Sequence, residues 1–448
     1  MRKPFVVLTA ALVAVSAACA PGSGGGKPKT PAPGAVGTDV AKAGPVTLTV
    51  WDQEVLGGQN EQMQRLNAAF HAKYPNVTIK RVSRSFSDLE KTLRLALSGG
   101  NPPDVVEANQ GYGIMAALVK AGALMPLDPY EQAYGFRKRF PAGLTQLNSV
   151  SAGGKAIGSG SLYGVAMTGE AVGIYYNTDK LAKLGLKPPA TWAEFEQDLA
   201  TAKGRGETPI YLANLEKFPG IHEFGVLLGQ TTGKDKLRDL VFGRGGAWTD
   251  PSVVQAAQKL ADWAKKGYFP AGVNAAKYND SPAPFAKGDG VFLIGGPWFA
   301  ADLQKKMGDK VRYILPPPAQ AGGAPAATLG GPGLPLAITA RSKHPDVAAA
   351  YLNFMTGPQA MDVVTQTGGL AALPPPSAQP TSAVGRDLAA AWKTASDKDI
   401  LVPYLDYSTT TFLDTLGGVL QEIIAGRRTA RQGMQDAQRD YAAFLAKR

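Results

Sequence analysis

Cysteine is nearly absent: Cys19 is the only one in 448 residues. With that thiol assigned to N-terminal processing, the rest of the chain has nothing to form a disulfide, a thiolate metal site or a sulfur nucleophile. Histidine is almost as scarce. His71, His222 and His344 are scattered, no ligand-type spacing joins them, and no G-x-S-x-G elbow is present, so neither a metal centre nor a hydrolytic serine is expected. Long apolar runs are missing as well. After the N-terminus nothing approaches 18 unbroken apolar residues, and no later segment reads as a membrane span. Basic residues outnumber acids, giving a formal net charge of +11, yet no run of five Lys or Arg occurs. Arg137, Lys138 and Arg139 lie near Glu131, and such mixing reads as a solvated surface rather than a nucleic-acid footprint.

What is present begins at the N-terminus. Arg2 and Lys3 precede an apolar run from Phe5 to Ala18 that closes in Ser16, Ala17 and Ala18 before Cys19. Its length suits a signal peptide and falls short of a spanning helix. The pattern VSAAC resembles a bacterial lipobox, with Ser16 where leucine is preferred and Val15 one position early. The resemblance implies removal of residues 1–18 and a lipid on Cys19, so that the protein is secreted and tethered to the membrane, facing the periplasm or the cell exterior. The alternative is a secreted protein with an incidental thiol. Residues 19–44, rich in Gly, Pro, Ala, Ser and Lys, read as a flexible linker spanning on the order of 25–30 Å.

Beyond the linker, 44% hydrophobic residues suffice for real cores, and the length suits two domains. Val46 to Trp51 reads as a buried strand, Gly57 and Gly58 as a turn, and 60–73 as a helix ended by Pro75 and Asn76. A strand at Val77 to Val82, a helix at Phe86 to Leu97 and a strand at Pro103 to Val106 complete a parallel α/β unit. The alternation resumes with strands at Leu162 to Val165 and Ala171 to Asn177 and a helix at Thr191 to Lys203, capped by Thr191 with Glu194 three residues on. A helix follows at Trp248 to Lys266, opened by Asp250 and Pro251. Strands at Gly290 to Gly295 and Leu334 to Thr339, a helix at Pro345 to Met355 and helices from Phe412 to Leu445 broken at Gly426 close the chain.

Five stretches in order then carry a resemblance over nearly all of this body: FHAKYPNVTIK (Phe70 to Lys80), LSGGNPPDVVEAN (Leu97 to Asn109), GVAMTGEAVGIYYNTDKLAKLGLKPPATWAEF (Gly164 to Phe195), FAKGDGVFLIGGPW (Phe285 to Trp298) and GGPGLPLAITARSKHPDVAAAYLNFM (Gly330 to Met355). Together they resemble the maltose-binding-like, extracellular solute-binding lipoproteins of carbohydrate ABC transporters, solute-binding protein family 1. The resemblance implies an α/β, two-lobed, type II periplasmic-binding-protein-like fold with a ligand cleft between the lobes. One lobe would comprise 45–167 and 329–378, the other 168–328 and 379–448. Gly169, Gly330 and Gly331 fall at the crossings, where a hinge absorbs backbone rotation; the plainer reading is strand-end turns. The implied partners are a small sugar, of di- or oligosaccharide size, and the transmembrane permease, with no cofactor, no catalysis and a monomeric state.

A sugar presents hydroxyls around its rim and apolar C–H faces, so its site needs carboxylates and amides at the edge and aromatic planes above or below. Trp51, Asp52, Gln53 and Glu54 leave the first strand at its carboxyl end, where open α/β sheets bind ligands. Asn109, Gln110 and Tyr112 occupy the equivalent place after the third strand. By resemblance, Glu170 in the first crossing contacts ligand and Trp298 stacks on a sugar ring. Asn214, Glu216, Phe218 and His222 would serve from the second lobe, and Asp406, Tyr407 and Phe412 from the C-terminal region. Competing plain roles are core packing for Trp51, Trp298 and His222 and surface solvation for Glu54 and Glu216. Trp192, Trp263 and Trp392 are expected in cores. Rival functions are a secreted glycoside-active enzyme using a carboxylate pair such as Asp52 with Glu170, the same fold holding iron, thiamine, a polyamine or phosphate, and a structural surface lipoprotein.

Overall fold

The computed structural model describes residues 36–448. The expected signal peptide and Cys19 lie outside them. Two four-stranded sheets organise the chain. In the first, Val46–Asp52 lies between Val77–Ser83 and Val105–Glu107, parallel to both, and Leu336–Ile338 closes the edge antiparallel to Val105–Glu107. In the second, Gly173–Asn177 runs antiparallel to Val311–Ile314 and to Phe292–Gly295, and the short Ile210–Tyr211 pairs parallel with the latter. Each sheet anchors one lobe.

The lobes are joined by a small third sheet in which Gly169–Ala171 pairs antiparallel with Thr328–Pro332, itself parallel to Leu401–Val402. The first two crossings are thus zipped together, with Gly330 opposite Ala171 and Gly331 opposite Glu170. Two different demands select these glycines. A Cβ on Gly330 would lie 2.3 Å from the Glu170 carbonyl oxygen, whereas Gly331 has φ of +145°, where other residues are strained. The chain crosses again after the helix Pro358–Gln366 of the first lobe to reach the helix Ala383–Asp397, which packs beside Val311–Ile314 of the second.

The cores follow from the patterning. Leu48, Val50, Leu66 and Phe70 fill the first lobe with Tyr351 and Met355 from the helix Pro345–Met355. Tyr175, Phe285, Leu303 and Tyr313 fill one face of the second sheet, and Phe195, Phe224, Trp248 and Phe292 belong to the other side. Trp192 and Trp263 are buried there with ring centroids 6.1 Å apart. Trp392 is only half-buried; it lies against Gly169 at the crossing.

Two expectations change on inspection. The fold starts before residue 45: Val40 is buried, and Asn76 Nδ2 donates to the carbonyls of Val40 and Gly44, both at 2.9 Å, so the distal part of the expected linker is docked on the first lobe. Gly57 and Gly58 are not a turn but the first residues of the helix Gly57–Lys73. Their smallness serves the other lobe. Gly57 N–H donates to Asp302 Oδ2 at 3.1 Å, and a Cβ on Gly58 would fall 2.3 Å from Ala301 Cβ. Among the described residues no helix is long and apolar enough to cross a membrane.

Candidate functional site

Between the lobes, at the carboxyl ends of Val46–Asp52 and Val105–Glu107, lies a cleft with about 750 Å³ of empty space, its open mouth included. Gln53 and Gln59 face it from the first strand end and the helix that follows, Asn109 from the third strand, and Phe86 from the start of the helix Phe86–Ser98. Glu170 rises from the crossing strand. The second lobe contributes Phe218, Ile221 and His222 around the start of the helix Pro219–Thr231, then Tyr278, Asn279 and Trp298, and finally Tyr404, Asp406, Tyr407 and Leu413.

The aromatic side chains form one connected wall. Phe86 meets Phe218 across the mouth at 5.1 Å between ring centroids, and Phe218 meets Tyr278 at 5.1 Å. Trp298 Nε1–H donates to Tyr278 Oη at 2.9 Å, and Tyr278 Oη lies 3.3 Å from His222 Nδ1. Burial pushes the His222 pKa down to about 3, so the imidazole stays neutral. The indole of Trp298 is held by the rings of His222, 5.4 Å away between centroids and tilted at 42°, and Phe299, 6.1 Å away and edge-on.

The carboxylates behave in the opposite way. Glu170 Oε2 accepts from Tyr404 Oη at 2.9 Å. Burial raises its pKa to about 8, aided by the charge of Glu54 and opposed by that hydrogen bond. Asp406 is pushed up to about 7 by burial. Asn109 Nδ2 donates to Glu90 Oε1 at 3.0 Å, and burial together with the neighbouring Asp406 raises Glu90 to about 8. Among the described residues no lysine or arginine lines the cleft.

The structure brings Gln53, Asn109, Glu170, Phe218, His222, Trp298, Asp406 and Tyr407 to this cleft and places the remaining candidates elsewhere. Backbone alternation turns Asp52 and Glu54 inward while Gln53 faces out. Asp52 is fully buried and accepts from Arg81 Nε (2.6 Å), Arg81 Nη2 (2.8 Å), Ser83 Oγ (2.8 Å) and Glu54 N–H (3.0 Å), which uses up its lone pairs. Glu54 is buried beside Asp52 and Glu107, and burial raises it to about 7; the expected surface solvation does not apply. Trp51 packs under Arg84, whose guanidinium lies 4.5 Å from its ring centroid.

Gln110 is a structural tie: its Nε2 donates to the carbonyls of Pro332 and Gly333, and its Oε1 accepts from Tyr407 Oη at 2.9 Å. Tyr112 is buried against Phe444 and donates to the Phe242 carbonyl. Asn214 Oδ1 caps the helix Pro219–Thr231 by accepting from Gly220 N–H at 2.9 Å. Glu216 Oε2 accepts from Tyr278 N–H at 3.0 Å, positioning that tyrosine rather than reaching the cleft. Phe412 is fully buried against Trp248, centroids 4.7 Å apart. Phe86, Tyr278 and Tyr404 were missed by sequence reasoning. Phe86 resembles any apolar helix residue, and Tyr278 sits in the short turn Tyr278–Asp280 without periodicity. Tyr404, two residues before Asp406, had the one usable signal.

Residues 57–362 match the family model described as bacterial extracellular solute-binding protein. The chain belongs to this family. A multiple sugar-binding protein of Streptococcus mutans is 24% identical over 326 residues, covering 72% of this chain and 73% of that one. The maltodextrin-binding protein of Bacillus subtilis is 25% identical over 368 residues, or 79% and 76% of the two chains. Among solved structures, a chitin oligosaccharide binding protein aligns with a TM-score of 0.76 at 22% identity, covering 89% of this chain and 99% of that chain. RafE in complex with raffinose gives 0.70 at 23%, with the same coverage. At such identities these structures establish the shared type II fold. This family of solute-binding proteins is non-catalytic, and of the carboxylate pair Asp52 and Glu170, Asp52 is buried on Arg81 away from the cleft.

The rival cargoes meet specific obstacles here. Tyr175 and Tyr176, adjacent in one strand, lie in different cores on opposite faces of the sheet, so they do not converge on an iron. Among the described residues a phosphate in this cleft would meet two carboxyl groups and no cationic side chain.

Proposed function

We propose that this protein captures a saccharide in the inter-lobe cleft and presents it, lobes closed, to the membrane permease of an ABC importer. The observation that carries the reading is the pairing of a continuous wall of rings, Phe218 to Tyr278 to Trp298 to His222 to Tyr404, with hydrogen-bonding groups at Gln53, Asn109, Glu170 and Asp406 in one cleft. Rings suit the C–H faces of pyranoses and the polar groups suit their hydroxyls. The names of the sugar-binding relatives support the same substrate class. Gly169, Gly330 and Gly331 lie in the two zipped crossings about which the lobes would turn. Contact with ligand from both sides favours the closed form, and the closed outline is what a permease would recognise. A lipid on Cys19 would hold the body near that permease.

Thermal-shift screening of residues 36–448 against mono-, di- and oligosaccharides tests the substrate class. A binder at about 100 times its dissociation constant adds roughly 2.7 kcal/mol to stability, which raises the midpoint by several degrees. The bound sugar is recovered chemically unchanged. A complete panel without a shift overturns the reading.

A further inference from the structure

The lining of the cleft is unbalanced in charge. Of the described side chains that face it, the only ones that can become charged near neutral pH are Glu170 and Asp406, since His222 is held neutral; with no cation beside them, burial holds both largely protonated in the empty cleft. The fold handles a comparable group differently a few residues away, where Asp52 is clamped by both nitrogens of Arg81. Among the described residues neither Glu170 nor Asp406 has a cationic partner, and Glu170 has only the neutral Tyr404 hydroxyl. The surroundings deepen the imbalance. Behind Asp406 stand Glu90 and Asp414, offset by Arg94 near Glu90, and Glu54 adds its charge at Glu170. Arg81 is engaged with Asp52, and Arg84 is stacked on Trp51.

A neutral polyol brings these groups no counter-charge, so they stay protonated when the lobes shut around it, because desolvated unpaired carboxylates are costly. An ammonium group on the sugar removes that cost and makes charge-assisted hydrogen bonds, which are stronger than neutral ones. The rest of the wall is suited to the same guest. The faces of Trp298, Tyr404 and Phe218 attract cations through their quadrupoles, tryptophan most of all. We propose that the saccharide preferred by this cleft carries a protonated amino group, seated between Glu170 and Asp406 against the ring wall. This rests on the saccharide reading above and narrows it to amino sugars.

The test uses oligomers on one backbone that differ only at C2: the glucosamine oligomers, their N-acetylated counterparts and the cello-oligosaccharides of equal length, with galactose and galactosamine compounds as a second matched set. Titration calorimetry at about pH 7, within the range where the two carboxyl groups ionise, reads each affinity. The expected result is binding of the amine at least ~10-fold tighter than of the matched hydroxyl or acetamide compound. In the Glu170→Gln, Asp406→Asn double variant that preference collapses to less than about 2-fold while circular dichroism remains native. Equal or tighter binding of the neutral member overturns the amino-sugar proposal and leaves the saccharide reading standing. Absence of binding by any sugar, in this series and in the thermal-shift panel, overturns both.

Discussion

Asp302 lies on the second lobe and accepts from Gly57 N–H at the start of a helix on the first, so Asp302→Ala removes a bond that requires the lobes to be together. The donor is one of the unpaired N–H groups of a helix N-terminus, where a carboxylate gains both a charge-assisted hydrogen bond and the favourable end of the helix dipole. The carboxylate is half-buried, which puts its contribution at about 1 kcal/mol. Only the closed form loses it. With ligand held tightly in the closed form alone, the closed-to-open ratio and the apparent affinity both fall about 5-fold. Asp302 does not line the cleft, so the enthalpy of direct ligand contact is unaffected, and the loss appears mainly as faster dissociation. Titration calorimetry and stopped-flow tryptophan fluorescence on wild type, Asp302→Ala and Asp302→Asn read it, the asparagine variant lying between because it keeps an acceptor without the charge. A dissociation constant within 1.5-fold of wild type for Asp302→Ala, with an unchanged off-rate, refutes the argument; that threshold is an order-of-magnitude allowance of about 0.25 kcal/mol.

Trp298→Ala removes the ring expected to stack on the sugar and the donor to Tyr278, and calorimetry should show an affinity loss of about 2–3 kcal/mol with a native circular dichroism spectrum. Asp52→Ala acts on the fold instead: Arg81 is left buried and unpaired, and urea unfolding should show a stability loss of about 3–5 kcal/mol, with ligand affinity of the folded fraction retained. Glu54, Glu90, Glu170 and Asp406 have pKa values raised to about 7 or 8, so the folded ligand-free protein holds protons that the unfolded chain has released. Their contribution to stability is complete below about pH 4 and is lost as pH rises through 7 to 8; calorimetric midpoints of the ligand-free protein should therefore fall from about pH 5.5 to pH 8.5, and a flat or rising profile contradicts the burial of these groups.

Local signals made the scaffold legible. Pro345 opens its helix and Met355 ends it as the pattern required, Thr191 caps through its side chain to Glu194 N–H at 3.2 Å, and Asp250 with Pro251 starts the helix that follows. Each of those features is decided within a few residues. Gly57 and Gly58 were misread because what demands them, Ala301 and Asp302, lies more than 240 residues further on. Asp52 was misread for the same reason: a carboxylate at a strand end looks like a ligand contact until Arg81, opposite Val50 in the neighbouring strand, is seen to reach it. Of the cleft, the residues carried by strand ends and by the crossing were approachable from the sequence. Tyr278 and Phe86 were not, since nothing in their neighbours marks which face of a turn or helix meets another lobe.

The central claim is that a saccharide draws the two lobes together about the crossings at Gly169 and Gly330. Small-angle X-ray scattering of the body, with and without the sugar that gives the largest thermal shift, measures this directly. The bound protein should have the smaller radius of gyration, and Asp302→Ala should contract less at subsaturating sugar. Identical scattering curves at saturating sugar would contradict it.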